Sequence, residues 1–355
     1  MNDTTPVTRD MLYRLPKTDL HVHLDGSLRP QTMLELADAA AIELPATDAV
    51  ALGEYMHVRD GRDLVDYLAR FDITLALMQT ADAIERIAYE LAEDCALENI
   101  RYTEIRFCPA LNTRGGLSHA EVVEAALRGL RRAEADHEIT TALIVCGLRN
   151  LPVQTSIEMA ELAVDFRDRG VVAFDLAGAE RGHPPIDHQP AFQIAADANM
   201  AITIHAGEAF GPASIHQAIH SCNARRIGHG TRLWEDPDLL AFVNDFRIPI
   251  EVCLTSNIQT RAAPSLEEHP LRIFYDQGLV VTLNTDNRLM SATTMTDEFL
   301  RAHEALGFTW DQLCELAVMG FESAFLPYRD KAALVAAVSA EIDAAGLPMQ
   351  APGAS

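Results

Sequence analysis

The chain has 355 residues, 48% of them hydrophobic and 23% charged, with a formal net charge of −24. That apolar share suits a large packed core and excludes a fibrous or broadly disordered chain. The acidic balance argues against nucleic acid and membrane surfaces as partners, since both need clustered Lys and Arg, and it weighs against a phosphorylated substrate.

Residues 1–17 hold no apolar run of signal-peptide type, and the apolar stretch 142–148 is too short to span a bilayer. The six cysteines (Cys95, Cys108, Cys146, Cys222, Cys253, Cys314) are widely spaced and form no CxxC pair. Buried thiols and a cytoplasmic location are expected, with no disulfide framework.

Eight short, mostly apolar segments read as strands covered on both faces: residues 19–24, 101–108, 141–148, 171–177, 201–205, 226–229, 249–254 and 280–284. The first crossover is too long for one helix. Within 30–100, helical segments are expected near 30–40, 63–78 and 82–99, an insertion that can act as a lid. In the last of these, Ile84, Ile87, Ala88, Leu91 and Cys95 form a helical stripe. Capping boxes are expected at Asp82 with Glu85, Ser118 with Glu121, Thr155 with Glu158 and Ser265 with Glu268. Helices continue after the eighth strand to about residue 345, and 346–355 is expected to be a disordered tail. Strand then helix, eight times, predicts an α/β fold: a single (β/α)8 TIM-barrel domain over 1–345, with a helical insertion after the first strand and extra C-terminal helices.

Active sites of such barrels form at the C-terminal ends of the strands. There this sequence places His21, His23 and Asp25, then Asp175 and Gly178, then His205 and Glu208, then His229, and finally Asp286 and Asn287. Burying so many titratable groups costs free energy unless they bind something. His21 and His23 are two apart on a strand and share a face. With His205 and Asp286 they make a plausible zinc cluster that leaves room for a water. A two-metal hydrolase would use a bridging lysine on the fourth strand, but residues 171–178 contain none, which favours a single metal.

The string LPKTDLHVHLDGS at 15–27 resembles the opening signature of adenosine deaminases. The strings DLAG at 175–178, TIHAGE at 203–208, RIGHG at 226–230 and LNTD at 283–286 match that family's other motifs in order. The resemblance covers about residues 15–326. It implies one Zn2+ per chain on His21, His23, His205 and Asp286. It implies that Glu208 protonates purine N1, and that His229 and Asp286 orient and deprotonate the zinc-bound water. The Gly178 backbone N–H would meet purine N3, and Asp25, with the strand of His23, the ribose hydroxyls. The expected reaction is hydrolytic deamination of adenosine and 2′-deoxyadenosine to inosine, deoxyinosine and ammonia. The expected partners are a small purine nucleoside and water.

The chemistry has a rationale of its own. Attack at C6 breaks aromaticity, and protonating N1 relieves this by placing charge where electrons accumulate. Glu208 must therefore be protonated, and burial should raise its pKa. Where many family members carry a second aspartate, this chain has Asn287, whose amide can donate to purine N7 at any pH. Other 6-aminopurines (adenine, methylthioadenosine, aminodeoxyfutalosine) remain alternatives, AMP is disfavoured by charge, and a non-catalytic nucleoside-binding barrel is the remote one. No catalytic role is assigned to Glu251, and Ser256 and Asn257 are expected to satisfy loop backbone groups. His183 and His188 are expected to be exposed after strand four, and His57, His119, His137, His216, His220, His269 and His303 to lie on the surface.

Overall fold

The computed structural model describes residues 7–59 and 63–344. Its strands are β1 (Lys17–His23), β2 (Ile100–Phe107), β3 (Thr140–Leu148), β4 (Val171–Ala177), β5 (Ala201–Ala206), β6 (Arg226–His229), β7 (Ile250–Val252) and β8 (Val281–Leu283). Each pairs in parallel with the next in chain order. Val22 bridges Asp286 to join the last strand to the first. There the His23 N–H donates to the Asp286 carbonyl at 2.7 Å, and the Asp286 N–H to the His21 carbonyl at 2.8 Å. This is the expected (β/α)8 barrel. Its strands are almost wholly buried, β4 at every position but one, as the unalternating apolar pattern requires.

Five helices fill the insertion after β1: Pro30–Ala40, Ala49–Met56, Leu64–Leu68, Phe71–Leu77 and Ala81–Leu97. The segment expected as one helix over 63–78 is two. Ala49–Met56 has no counterpart among the expected helices, because eight residues with Gly53 inside are too few for a periodic stripe. The extra C-terminal helices are Met295–Leu306, Trp310–Ser323 and Tyr328–Ala344, and the expected tail at 346–355 lies outside the described residues.

Of the expected capping boxes, Ser118 with Glu121 forms in full. Asp82 is instead inside its helix, which Thr80 caps by accepting from the Ala83 N–H. Thr155 is also inside its helix, because Pro152 sets the start. Ser265 does accept from the Glu268 N–H at 3.3 Å, but a turn follows rather than a helix. Unanticipated boxes form at Thr294 with Asp297 and Thr309 with Gln312. All six cysteines are buried and unpaired, and among the described residues no helix is long and apolar enough to cross a membrane.

The barrel interior carries an ionic layer beneath its C-terminal mouth. Glu251 on β7 accepts from Arg226 Nε at 2.6 Å, Thr203 Oγ1 at 2.8 Å and Arg106 Nη2 at 3.0 Å. Arg106 also holds Asp175 at 3.1 Å, and Arg226 pairs with Glu104. All five charged residues are at most 1% exposed. Burial alone would raise the Glu251 pKa, but Arg106 and Arg226 hold it well below the usual carboxylate range. Every charge here has a partner, so removing one leaves the others buried and unpaired. Arg226→Leu is expected to cost about 3–5 kcal/mol of unfolding free energy, measured by denaturant titration; a loss within about 0.5 kcal/mol, the range of an ordinary surface substitution, would show the layer to be dispensable.

Candidate functional site

A cavity of about 250 Å³ opens at the C-terminal ends of the strands. That is slightly under the usual range of about 300–1,000 Å³ for small-molecule sites, so it suits a compact ligand. Leu64, Tyr67, Phe71 and Leu75 from the insertion line one side, and His23, Asp25, Gly178, Glu208, His229, Asp286 and Asn287 line the other. A more open groove of about 560 Å³ lies near Arg29 and Arg288, but those charges are already paired, Arg29 with Asp94 and Arg288 with Glu98.

The structure brings His21, His23, Asp25, Gly178, His205, Glu208, His229, Asp286 and Asn287 to this one mouth, with Asp175 just beneath it against His205. One ligand atom from each of His21, His205, His229 and Asp286 falls within 4.8 Å of the other three. His23 joins them: its Nε2 is 3.1 Å from His205 Nε2 and 3.5 Å from Asp286 Oδ1. His21 Nε2 is likewise 3.5 Å from Asp286 Oδ1. Five groups thus converge where the sequence reading placed four as ligands and His229 beside them. His229, the last residue of β6, and Asp286, three residues past β8, have φ of 61° and 58°, in the left-handed region. Non-glycine residues held this way store strain of about 1–3 kcal/mol each.

Supporting carboxylates orient two of the rings. His21 Nδ1 donates to Glu251 at 2.8 Å and His205 Nδ1 to Asp175 at 3.0 Å. Each ring's Nε2 is then a bare lone pair facing the centre, the arrangement seen around metal-ligating histidines. Asp286 Oδ2 accepts from Ser256 Oγ at 2.5 Å. His21 Nε2, Asp25 Oδ1, Glu208 Oε1 and Asn287 Oδ1 are buried without a hydrogen-bond partner in the protein. Such orphans are costly, and those of Asp25 and Glu208 in the cavity, with His21 Nε2 in the adjoining cluster, mark a place built for a ligand. Imidazole nitrogens with a carboxylate oxygen are a donor set that fits a borderline divalent cation such as zinc.

Burial, with Asp286 and Glu180 adding negative charge, pushes the Glu208 pKa up to about 8. Burial also pushes Asp25 up to about 7. Gly207, with φ of 76°, makes the turn that presents Glu208; a Cβ there would lie 2.5 Å from Ile215 Cδ1. Gly26 lets Asn287 close in, since a Cβ would overlap its amide oxygen.

Several functional contacts were not foreseen. Glu251, given no catalytic role, supports His21, while Ser256 holds Asp286 and Asn257 Nδ2 reaches His229 Nδ1 at 3.0 Å, so these last two do more than satisfy a loop. His183, His216 and His220 are exposed, and His57, His119, His137 and His303 are half-buried. His188 and His269, by contrast, are each 2% exposed: His188 bonds Ser156 Oγ at 2.8 Å, and His269 bonds Asn257 Oδ1 at 3.1 Å. A polar residue inside an apolar run, as with Glu251 between Ile250 and Val252, was the one available signal. Glu180 gave none. Its carboxylate accepts four successive backbone N–H groups, from Gly207, Glu208, Ala209 and Phe210, at 2.6–3.0 Å. That grip fixes the loop bearing Glu208. In Glu180→Ala the amides of residues 207–210 are expected to exchange with solvent at least tenfold faster, by native-state hydrogen exchange; unchanged protection would remove Glu180 from this role.

Comparison with known proteins shows the family. The family model described as adenosine deaminase matches residues 16–341. An adenosine deaminase of Mycobacterium sp. (strain JLS) is 44% identical over 350 residues, covering 94% of this chain and 96% of its own. That of Mycolicibacterium gilvum (strain PYR-GCK) is 45% identical over the same shares. Among solved structures, an adenine deaminase from Arthrobacter aurescens superposes with a TM-score of 0.86 at 28% identity, over 93% of this chain and 99% of that one. The N6-methyl-AMP deaminase of Arabidopsis thaliana gives 0.82 at 30%, over 94% and 98%. A zinc-bound amidohydrolase from Burkholderia ambifaria gives 0.85 at 25%, over 98% and 97%. The chain belongs to the adenosine deaminase family and is a hydrolytic deaminase.

Proposed function

We propose that the protein hydrolyses adenosine and 2′-deoxyadenosine to inosine and deoxyinosine with release of ammonia, using one zinc ion. The observation that carries this reading is Glu208: a buried carboxyl with a raised pKa, an unpartnered Oε1, and its Oε2 3.7 Å from His229 Nε2, lining the same cavity as Asp286. A binding protein has no use for such an acid.

His21, His23, His205 and Asp286 would hold the zinc. When bound, it supplies Lewis acidity that makes water a competent nucleophile at neutral pH. Glu208, protonated, donates to purine N1, so C6 becomes electrophilic. Asp286 takes a proton from the attacking water as the C6–O bond forms. Asp286 passes that proton to the amino group, the C6–N bond breaks and ammonia leaves, while the remaining proton on the new oxygen returns to Glu208 as the C6 carbonyl forms. The Gly178 N–H serves N3 and the Asn287 amide serves N7. Asp25, on the strand side of His23, meets the ribose hydroxyls. Asn287 lines the cavity, and its Oδ1 lies against Gly26; of its amide atoms only Nδ2 can donate to N7.

Names among the structural neighbours, an adenine deaminase and an N6-methyl-AMP deaminase, keep related 6-aminopurines as the second reading. Among the described residues lining the cavity none is Lys or Arg, which favours an uncharged nucleoside. The adjoining recess of about 330 Å³ does carry Arg181, Arg232 and Arg261 beside Glu180 and Asp63, so AMP belongs in the same comparison. The unpaired buried thiols fit a reducing, cytoplasmic setting.

An ultraviolet deamination assay over adenosine, deoxyadenosine, adenine, AMP, methylthioadenosine and aminodeoxyfutalosine tests the assignment. Adenosine and deoxyadenosine are expected to give the highest kcat/KM; another substrate ahead of both would replace them. Glu208→Gln is expected to keep its metal but lose about 10²–10⁴-fold in kcat. The active form of Glu208 is the neutral one, so wild-type kcat/KM should be full below its pKa and fall as pH rises through about 8. Near-normal turnover of the variant would reject its role.

A further inference from the structure

A line of hydrogen bonds enters His229 from behind the cluster. The Leu271 backbone N–H donates to His269 Nδ1 at 3.1 Å. His269 Nε2 lies 3.1 Å from Asn257 Oδ1, and Asn257 Nδ2 lies 3.0 Å from His229 Nδ1. Asn257 and His269 are 0% and 2% exposed.

The direction of this line follows from its anchor. A backbone N–H can only donate, so His269 Nδ1 accepts. An imidazole must carry at least one proton, so that of His269 sits on Nε2 and goes to Asn257 Oδ1. The amide of Asn257 is thereby turned with its NH2 toward His229, whose Nδ1 must accept. His229 then carries its proton on Nε2. The reverse order fails: with Nδ2 turned to His269, both nitrogens of that ring would have to accept. Burial, which pushes the His269 pKa down to about 3, agrees with a neutral ring there.

His21 and His205 show the opposite arrangement. Their Nδ1 atoms face the carboxylates of Glu251 and Asp175, which accept, so their Nε2 atoms are bare. Three rings within one cluster are thus set in two proton states by what stands behind them.

We propose that Asn257 and His269 are positioning residues that hold His229 as an Nε2–H donor facing the cavity, and so keep it from acting as an ion ligand or a base. The donated proton is aimed at the attacking oxygen, which leaves Asp286 as the acceptor of the water's proton. This narrows the role expected of His229, from orienting and deprotonating water to orienting it alone. It also sets His229, which offers a hydrogen, apart from His21 and His205, which offer lone pairs. The catalytic consequence rests on the proposed deaminase reading; the proton assignment does not.

The test uses holoenzyme carrying 15N-labelled histidine, with two-bond 15N–1H correlation spectra reporting which ring nitrogen of His229 is protonated. Wild type should show Nε2–H and an unprotonated Nδ1. Asn257→Asp puts an acceptor behind Nδ1 and should move the proton there, with metal content retained and kcat lowered about 10–100-fold, the usual effect of disturbing a residue behind a metal site. His269→Gln keeps an acceptor for Leu271 and a donor for Asn257 and should preserve the proton position and most of kcat, whereas His269→Leu should lose both. A wild-type spectrum with the proton on Nδ1 overturns the proposal even if no variant folds. So does an Asn257→Asp enzyme with wild-type proton placement and turnover. Failure of the wild type to release ammonia from any 6-aminopurine would instead sink the functional reading and leave the proton assignment standing.

Discussion

Everything at the barrel mouth depends on a burial that the protein alone does not compensate. His21, His23, His205 and Asp286 turn their donor atoms toward a common centre, within 3.1–3.5 Å of one another where the contacts are closest. Bare imidazole nitrogens so close together attract nothing in each other. Buried polar groups without partners cost about 1–3 kcal/mol each, and His21 Nε2, Asp25 Oδ1 and Glu208 Oε1 incur that cost around this one centre. A shared cation is the one partner that satisfies all four atoms at once.

The arrangement persists because a second tier over-determines it. Glu251 serves His21 and two arginines together, Asp175 joins Arg106 to His205, and Ser256 holds Asp286. The seam between β8 and β1 passes through Asp286 itself, so barrel closure and ligand placement are the same event. Glu180 does the equivalent for the acid, tying down four amides of the loop that bears Glu208 while its charge raises the Glu208 pKa. Catalytic power in such a site comes from groups already placed before substrate arrives, and here the placement is carried by residues that touch no substrate.

What the sequence disclosed and what it hid follow the range of the interactions. Strands were legible because their burial on two faces is written in consecutive residues, as in Val171–Ala177. Residues of the mouth were legible because chemistry needs titratable side chains at strand ends, and His21, His205, His229 and Asp286 stand there. The supporting tier was not. Glu180 reads as one more surface acid after β4, and His269 as a helix-flanking histidine, until folding brings them to Gly207 and Asn257, 27 and 12 residues away in sequence. Asn257 looked like a loop cap because Asn is common in that role. The insertion was legible as helical but not as five separate helices, because helices of five to eight residues, such as Leu64–Leu68 and Ala49–Met56, are too short to show a period.

The central claim is that a single cation sits among these groups. X-ray diffraction from crystals of the purified protein, collected on both sides of the zinc absorption edge, tests it directly. The account predicts one anomalous peak per chain, about 2.0–2.2 Å from the Nε2 atoms of His21, His23 and His205 and from an Asp286 oxygen, with His229 Nε2 farther away. A zinc-replete crystal with no peak there, and with those side chains turned to bond one another instead, would contradict it.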